Sequence, residues 1–219
     1  MGHCLVTGAN RGIGLALTRG LLGQGHSVIG TCRQSSEALE ESGARIESLD
    51  LQDPEAIARF GADLAGETLD LVVQNAGVFL SDRLDKLDVA GLRQQWEVNT
   101  LAPLLLTAAL RPCLKRGSKV VFLTSRMGSI GDNSSGGYYG YRLSKAALNM
   151  VGANLSRELA PSGISVALLH PGYVRTEMTR GQGDVSAESA AAGLLDRIEE
   201  LSLASSGRFL HANGIELPW

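Results

Sequence analysis

Tyr141 and Lys145 stand four residues apart, a spacing that puts two side chains on one helix face with Cβ atoms about 5 to 6 Å apart. A free phenol has a pKa near ~10, so it donates and recovers a proton at neutral pH only where a neighbouring cation stabilises the phenolate. A lysine one turn away is such a cation, and the pair suits protonation of an oxygen on which negative charge develops. Tyr138 and Tyr139 have no lysine four residues on. Alone, a Tyr-x-x-x-Lys pair is a common accident of solvated helices, and its meaning depends on what else the chain supplies.

The second chemical feature is Thr7-Gly8-Ala9-Asn10-Arg11-Gly12-Ile13-Gly14, between the apolar run 4–6 and a helical pattern over 15–22. Strand, glycine turn and helix in that order form a phosphate site. Missing side chains let the backbone approach a pyrophosphate, while the helix start offers unbonded N–H groups and a positive dipole end.

The elements that must position these groups follow from the pattern of apolar residues. Short β-rich runs at 4–6, 27–31, 45–49, 69–73, 119–124, 164–169 and 208–210 alternate with amphipathic stretches, which predicts βα units. Near-continuous runs such as Val120-Val121-Phe122-Leu123 imply strands buried on both faces, as in a parallel sheet covered by helices on each side. Asp53-Pro54 and Ser186 are placed to start helices. Loops rich in Gly, Ser and Asn at 128–137 and 181–185 lie between strand and helix, where doubly wound sheets carry their active sites. No repeat or linker divides the 219 residues, so a single domain over 1–219 is expected.

The Gly-x-x-x-Gly-x-Gly spacing, with Tyr-x-x-x-Lys downstream, resembles the short-chain dehydrogenase/reductase family, and further motifs extend the resemblance from Thr7 to the end of the chain. It implies one Rossmann-type sheet of about seven strands in the order 3-2-1-4-5-6-7. It assigns catalytic roles to Ser125, at the end of the fifth strand, to Tyr141 and Lys145, and to Asn99, linked in the family to a water-mediated proton relay. Ser125 precedes Tyr141 by 16 residues, more than is usual in the family because 132–137 enlarges the loop, and Ser129 is a rival hydroxyl. Asp50, followed by Leu51, resembles the acidic residue that binds adenine. Asn75-Ala76-Gly77 resembles the turn beside the cofactor, with Gln74 departing from the usual asparagine. Pro171, Gly172, Val174 and Thr176 match the segment that binds the nicotinamide carboxamide. Gly136 to Arg142, Gly207-Arg208-Phe209 and Leu217-Pro218-Trp219 are similar to the C-factor and sniffer-type carbonyl reductases.

The second strand ends on Arg33 with no acidic residue to hold the 2′-hydroxyl of NAD. Arg33 and Arg11 together could face a 2′-phosphate, which guanidinium forks match well. NADP(H) is therefore expected in preference to NAD(H), with Gly8, Asn10, Arg11, Gly12, Ile13 and Gly14 holding it alongside Tyr141 and Lys145. The expected reaction is reduction of a small carbonyl compound (ketone, aldehyde or quinone). The alternative is a catalytically weak NADP(H)-binding sensor or C-factor-like signalling protein.

A formal net charge of −3 without a basic stripe argues against nucleic acid and anionic membranes as partners. Cys4, Cys32 and Cys113 lack paired spacing, and the four histidines lack metal-ligand spacing, so neither a disulfide framework nor a metal is expected. His170, beside the cofactor segment, reads as structural. The chain enters an apolar strand by Cys4 and its longest apolar stretch, 101–110, is short and holds Pro103, so a cytoplasmic protein is expected. The helix over 141–160 carries more apolar positions than one buried stripe requires, Met150 and Val151 among them, which makes it a candidate interface for a homodimer, with a monomer as the alternative. A short 176–186 segment implies a small lid over an open pocket.

Overall fold

Successive residues of a strand point to opposite faces, and here both faces are covered. Val120 and Phe122 enter one core while Val121 and Leu123 enter the other. The computed structural model describes residues 2–219. Its strands are β1 (His3–Thr7), β2 (Ser27–Cys32), β3 (Arg45–Ser48), β4 (Leu69–Gln74), β5 (Leu114–Leu123), β6 (Ser165–His170) and β7 (Phe209–His211). They form one parallel sheet in the order β3-β2-β1-β4-β5-β6-β7, as the family resemblance implied.

The helices are α1 (Gly12–Gly23), α2 (Glu37–Glu40), α3 (Pro54–Asp63), α4 (Val89–Trp96), α5 (Ala102–Ala109), α6 (Tyr139–Leu159) and α7 (Ala187–Glu200). Leu17 and Leu21 of α1, Leu39 of α2 and Leu194 and Ile198 of α7 cover one face. Ile57 and Phe60 of α3, Leu106 of α5 and Leu148 and Leu155 of α6 cover the other. Each such side chain removed from water contributes roughly 1.5 to 3 kcal/mol.

The expected helix starts are present. Asp53 accepts hydrogen bonds from Glu55 N and Ala56 N, with Pro54 in the first turn, and Ser186 accepts one from Ser189 N. Most strands end within a residue of expectation. β5 is the exception, beginning at Leu114 rather than 119. Exposed Lys115 and Arg116 hide its apolar pattern, and Ser118 Oγ pins the irregular start by donating to Leu69 O and accepting from Lys115 N. α6 begins two residues before the expected 141.

α4 and α5 are one rod interrupted by a π turn, Glu97–Leu101, in which Ala102 N donates to Glu97 O. Asn99 lies in that turn. Such turns recur at functional positions.

Candidate active site

The sheet order reverses between β1 and β4, and ligands of such sheets bind at that point, beyond the strand C-termini. Here the two loops are locked together. Thr7 Oγ1 accepts from both Asn75 N and Ala76 N at 3.0 Å, and Asn75 Nδ2 donates to Thr7 O at 2.8 Å and Gly8 O at 3.2 Å. The Asn75 side chain thus holds the glycine loop. Gly8 and Gly12 are left-handed at φ 66° and 52°, and a Cβ on Gly14 would overlap the Gly8 carbonyl oxygen. Arg11 stands at the N-cap of α1 and makes no side-chain cap bond, so the N–H groups of Gly12, Ile13 and Gly14 are available to an anion.

Asn10 ties this loop to the end of β2, its Nδ2 donating to Gln34 O and its carbonyl accepting from Ser36 Oγ. Arg33 is exposed and has no ion-pair partner among the described residues. Arg11 is exposed at the end of the glycine loop. Its guanidinium is bonded to the Glu177 carboxylate, which the loop beyond Thr176 brings beside the glycine loop. Asp50 uses Oδ1 to accept from Gln52 N, and half-buried Leu51 packs on the core beside it.

At the other end of the cleft, Ser125 closes β5 and Tyr141 and Lys145 lie in the first two turns of α6. Burial pushes the Tyr141 phenol up to about 12, opposed by a hydrogen bond with the Ser125 hydroxyl. Ser125, rather than Ser129, stands beside that phenol, and its Oγ also accepts from Met127 N at 3.1 Å. Ser129 Oγ is engaged elsewhere, donating to Trp219 O and accepting from Asp132 N. Lys145 is buried, its Nζ 5.8 Å from the centroid of the Tyr141 ring and donating to Leu123 O at 2.8 Å, and burial lowers its pKa to about 8. Phe79 packs edge-on against Tyr141 with centroids 5.0 Å apart.

Asn99 is fully buried. Its Oδ1 accepts from Val78 N at 2.8 Å, and its Nδ2 donates to Val78 O and to Ser144 Oγ. The side chain therefore braces the loop after β4 against α6 rather than reaching Lys145. Beyond β6, Pro171 and left-handed Gly172 lead to buried Val174, and a Cβ on Gly12 would stand 3.4 Å from Thr176 Cγ2. The nicotinamide-type segment and the glycine loop thus face each other. Thr179 Oγ1 folds the lid back on itself by donating to Val174 O and accepting from Thr176 N.

A family model described as short chain dehydrogenase matches residues 2–186. The chain belongs to the short chain dehydrogenase family. A 1-hydroxy-2-glutathionyl-2-methyl-3-butene dehydrogenase of Rhodococcus sp. (strain AD45) is 42% identical over the full length of both chains. The C-signal protein of Myxococcus xanthus is 39% identical over 73% of this chain and 98% of its own. Among solved structures, the carbonyl reductase Sniffer of D. melanogaster superposes with a TM-score of 0.93 at 30% identity over all of both chains. A carbonyl reductase from chicken fatty liver, solved with NADPH bound, gives 0.91 at 32% identity over 100% and 99%.

Membership makes the chain an oxidoreductase of a family that works with nicotinamide dinucleotides, and the glycine loop fits one, because the start of α1 has no side-chain cap and leaves its first N–H groups to a pyrophosphate. Three residues of this site were missed in the sequence. Glu177 lies in a lid with no pattern. Gln95 and Asn99 are one helical turn apart, a spacing that signals a shared target. Asp82 sits in a loop 57 residues from the backbone it binds, and no local pattern marks it. Among the described residues no group of His, Cys, Asp or Glu is arranged to hold a metal, and no helix is long and apolar enough to cross a membrane.

Proposed function

We propose that this chain is an NADP(H)-dependent carbonyl reductase that converts a ketone, aldehyde or quinone to the alcohol with Tyr141 as proton donor. The observation that carries the reading is the buried Lys145 ammonium 5.8 Å from the centroid of the Tyr141 ring, on the helix that faces Ser125. NADPH, when bound, supplies the hydride. Ser125 donates a hydrogen bond to the carbonyl oxygen as charge develops there. The Tyr141 proton passes to that oxygen, and the Lys145 ammonium stabilises the phenolate left behind and lowers the barrier to its reprotonation. Because the Asn99 amide is fully engaged, its part in the relay is to hold backbone and water path in place.

The glycine loop from Gly8 to Gly14 would hold the pyrophosphate, Asp50 and Leu51 the adenine, Asn75 to Gly77 the adjoining ribose, and Pro171, Gly172, Val174 and Thr176 the carboxamide. Exposed Arg33, without an ion-pair partner among the described residues, together with Arg11 of the glycine loop supports the preference for a 2′-phosphate. The protein should be mixed with NADPH or NADH and a panel of aldehydes, ketones and quinones, and cofactor oxidation followed. Turnover with NADPH exceeding that with NADH, and its loss in Tyr141→Phe with NADPH binding retained, is the expected result. Undiminished turnover in Tyr141→Phe would remove Tyr141 from the role.

The 39% identity to a protein named C-signal supports a second reading, a nucleotide-binding signalling protein, which silence across the whole panel would favour. The relative named as dehydrogenase of a glutathione-bearing alcohol supports running the panel in the oxidative direction too. Leu143 and Met150 are 63% and 62% exposed on α6, an apolar face that supports a homodimer. Sedimentation at low concentration should then give twice the chain mass. Three buried free cysteines support a reducing, cytoplasmic setting.

A further inference from the structure

α6 opens on Tyr138, whose backbone is left-handed at φ 51° and whose side chain makes no cap bond. The first N–H groups of a helix have no partner within it, and here the partner comes from far away in the sequence. Asp82, in the loop after β4, accepts from Tyr139 N through Oδ1 at 2.6 Å and from Gly140 N through Oδ2 at 2.8 Å, while its carbonyl accepts from Tyr138 N at 3.3 Å. The residue is 6% exposed. Both carboxylate oxygens are thus committed to consecutive amides at the positive end of the helix dipole, where charge-assisted bonds are strongest.

The loop that carries Asp82 is itself fixed. Asn99 clamps Val78, and one turn earlier Gln95 Oε1 accepts from Leu80 N at 2.9 Å. Phe79, between them, touches the rings of Tyr138 and Tyr141. Gly140 is required at the junction, since a Cβ there would overlap Gln95 Nε2 and stand 3.0 Å from Asp82 Oδ2. Gln95 Nε2 is buried without a partner, a cost borne where the loop and the helix start are pressed together. One segment, 78–82, therefore both touches the Tyr141 ring and holds the turn that bears it.

We infer that Asp82 is a positioning residue, setting the height and rotation of the first turn of α6 and so aiming the Tyr141 hydroxyl at Ser125. The inference rests on the reading of Tyr141 as proton donor. Asp82→Ala and Asp82→Asn test it through four measurements: kcat and KM for carbonyl reduction, the Kd for NADPH, amide exchange along α6, and the tyrosine ring resonances of isotope-labelled protein, with the Tyr141 signal assigned from Tyr141→Phe. Asp82→Ala should lower kcat by roughly 10- to 100-fold, the scale of a misplaced catalytic group, with KM and Kd unchanged. Exchange should quicken only at the start of α6 and the Tyr141 signal should shift. Asp82→Asn keeps one acceptor oxygen and should recover most of kcat. Wild-type kcat in folded Asp82→Ala overturns the inference, as does a loss of kcat with the Tyr141 signal unmoved. Should Asp82→Ala fail to fold, Asp82→Ser, which withdraws both carboxylate oxygens but keeps a small polar side chain, takes its place, and wild-type kcat with an unmoved Tyr141 signal there overturns it. If the wild-type protein reduces no carbonyl, the proposed function fails separately, and the exchange and ring signals still decide whether Asp82 positions Tyr141.

Discussion

The Lys145 ammonium loses most of its hydration where it sits, and burial brings its pKa from 10.5 down to about 8. Its charge is present below that value and disappears as pH rises through it. Since the proposed chemistry uses the charged form, kcat/KM for NADPH, which reports ionisations of the free protein, should fall above about pH 8. A profile flat to pH 10, near where unperturbed lysine titrates at ~10.4, would leave Lys145 no part in tuning Tyr141. The identities of Tyr141, Lys145 and Ser125 were legible because their chemistry depends on residue type and on spacing along one element. The bond between Ser125 and Tyr141, the turn of Arg11 toward Glu177 and the clamp made by Asn99 were not, since each depends on how a loop folds back in space. A guanidinium goes to the nearest unpaired carboxylate, and the sequence does not reveal that the lid brings one there.

Elements place these groups through contacts that leave no room for side chains. A Cβ on Gly14 would overlap the Gly8 carbonyl oxygen and stand 2.5 Å from Asn75 Nδ2, and neither the backbone nor the clamped amide can yield cheaply. Gly14→Ala should cost about 1 to 3 kcal/mol, seen as a melting temperature lowered by roughly 2 to 10 °C, and should weaken NADPH binding measured by titration. Gly23, also in α1 with nothing near its missing Cβ, gives the comparison, because alanine there should be neutral or stabilising. Equal effects at the two positions would contradict the close-approach account. The strand runs and helix caps were legible from apolar patterning and from Asp53-Pro54 and Ser186. The early start of β5 was not, because its first residues carry exposed charges, nor was the π turn, which has no signature of residue type.

Across the whole molecule, the ends of β6 and β7 bring His170 and His211 together edge to face, with ring centroids 5.1 Å apart. His170 Nδ1 is buried without a partner, and burial, aided by His211 and Arg126, lowers its pKa from 6.5 to about 3. The native state thus binds fewer protons than the unfolded chain between those values. The stability this contributes is complete above pH 6.5 and is lost as pH falls toward 3. Thermal melts across that range should show the loss, and His170→Gln, neutral throughout, should flatten it; an unchanged acid branch would mean other groups dominate. The pairing of the two rings was beyond reach of the sequence, which separates them by a helix and two loops. The π turn between α4 and α5 has a consequence of its own. It contains one residue more than an α-helix would use over the same stretch, and each helical residue is worth about 100° of rotation. Deleting a residue from Glu97–Leu101 would let the stretch close as regular helix and leave Leu106 on the core it fills, while moving Asn99 off the Val78 backbone it clamps. The additional residue therefore serves the loop after β4 rather than the core: its loss would be felt at Val78 and the site, and hardly in the packing of α5.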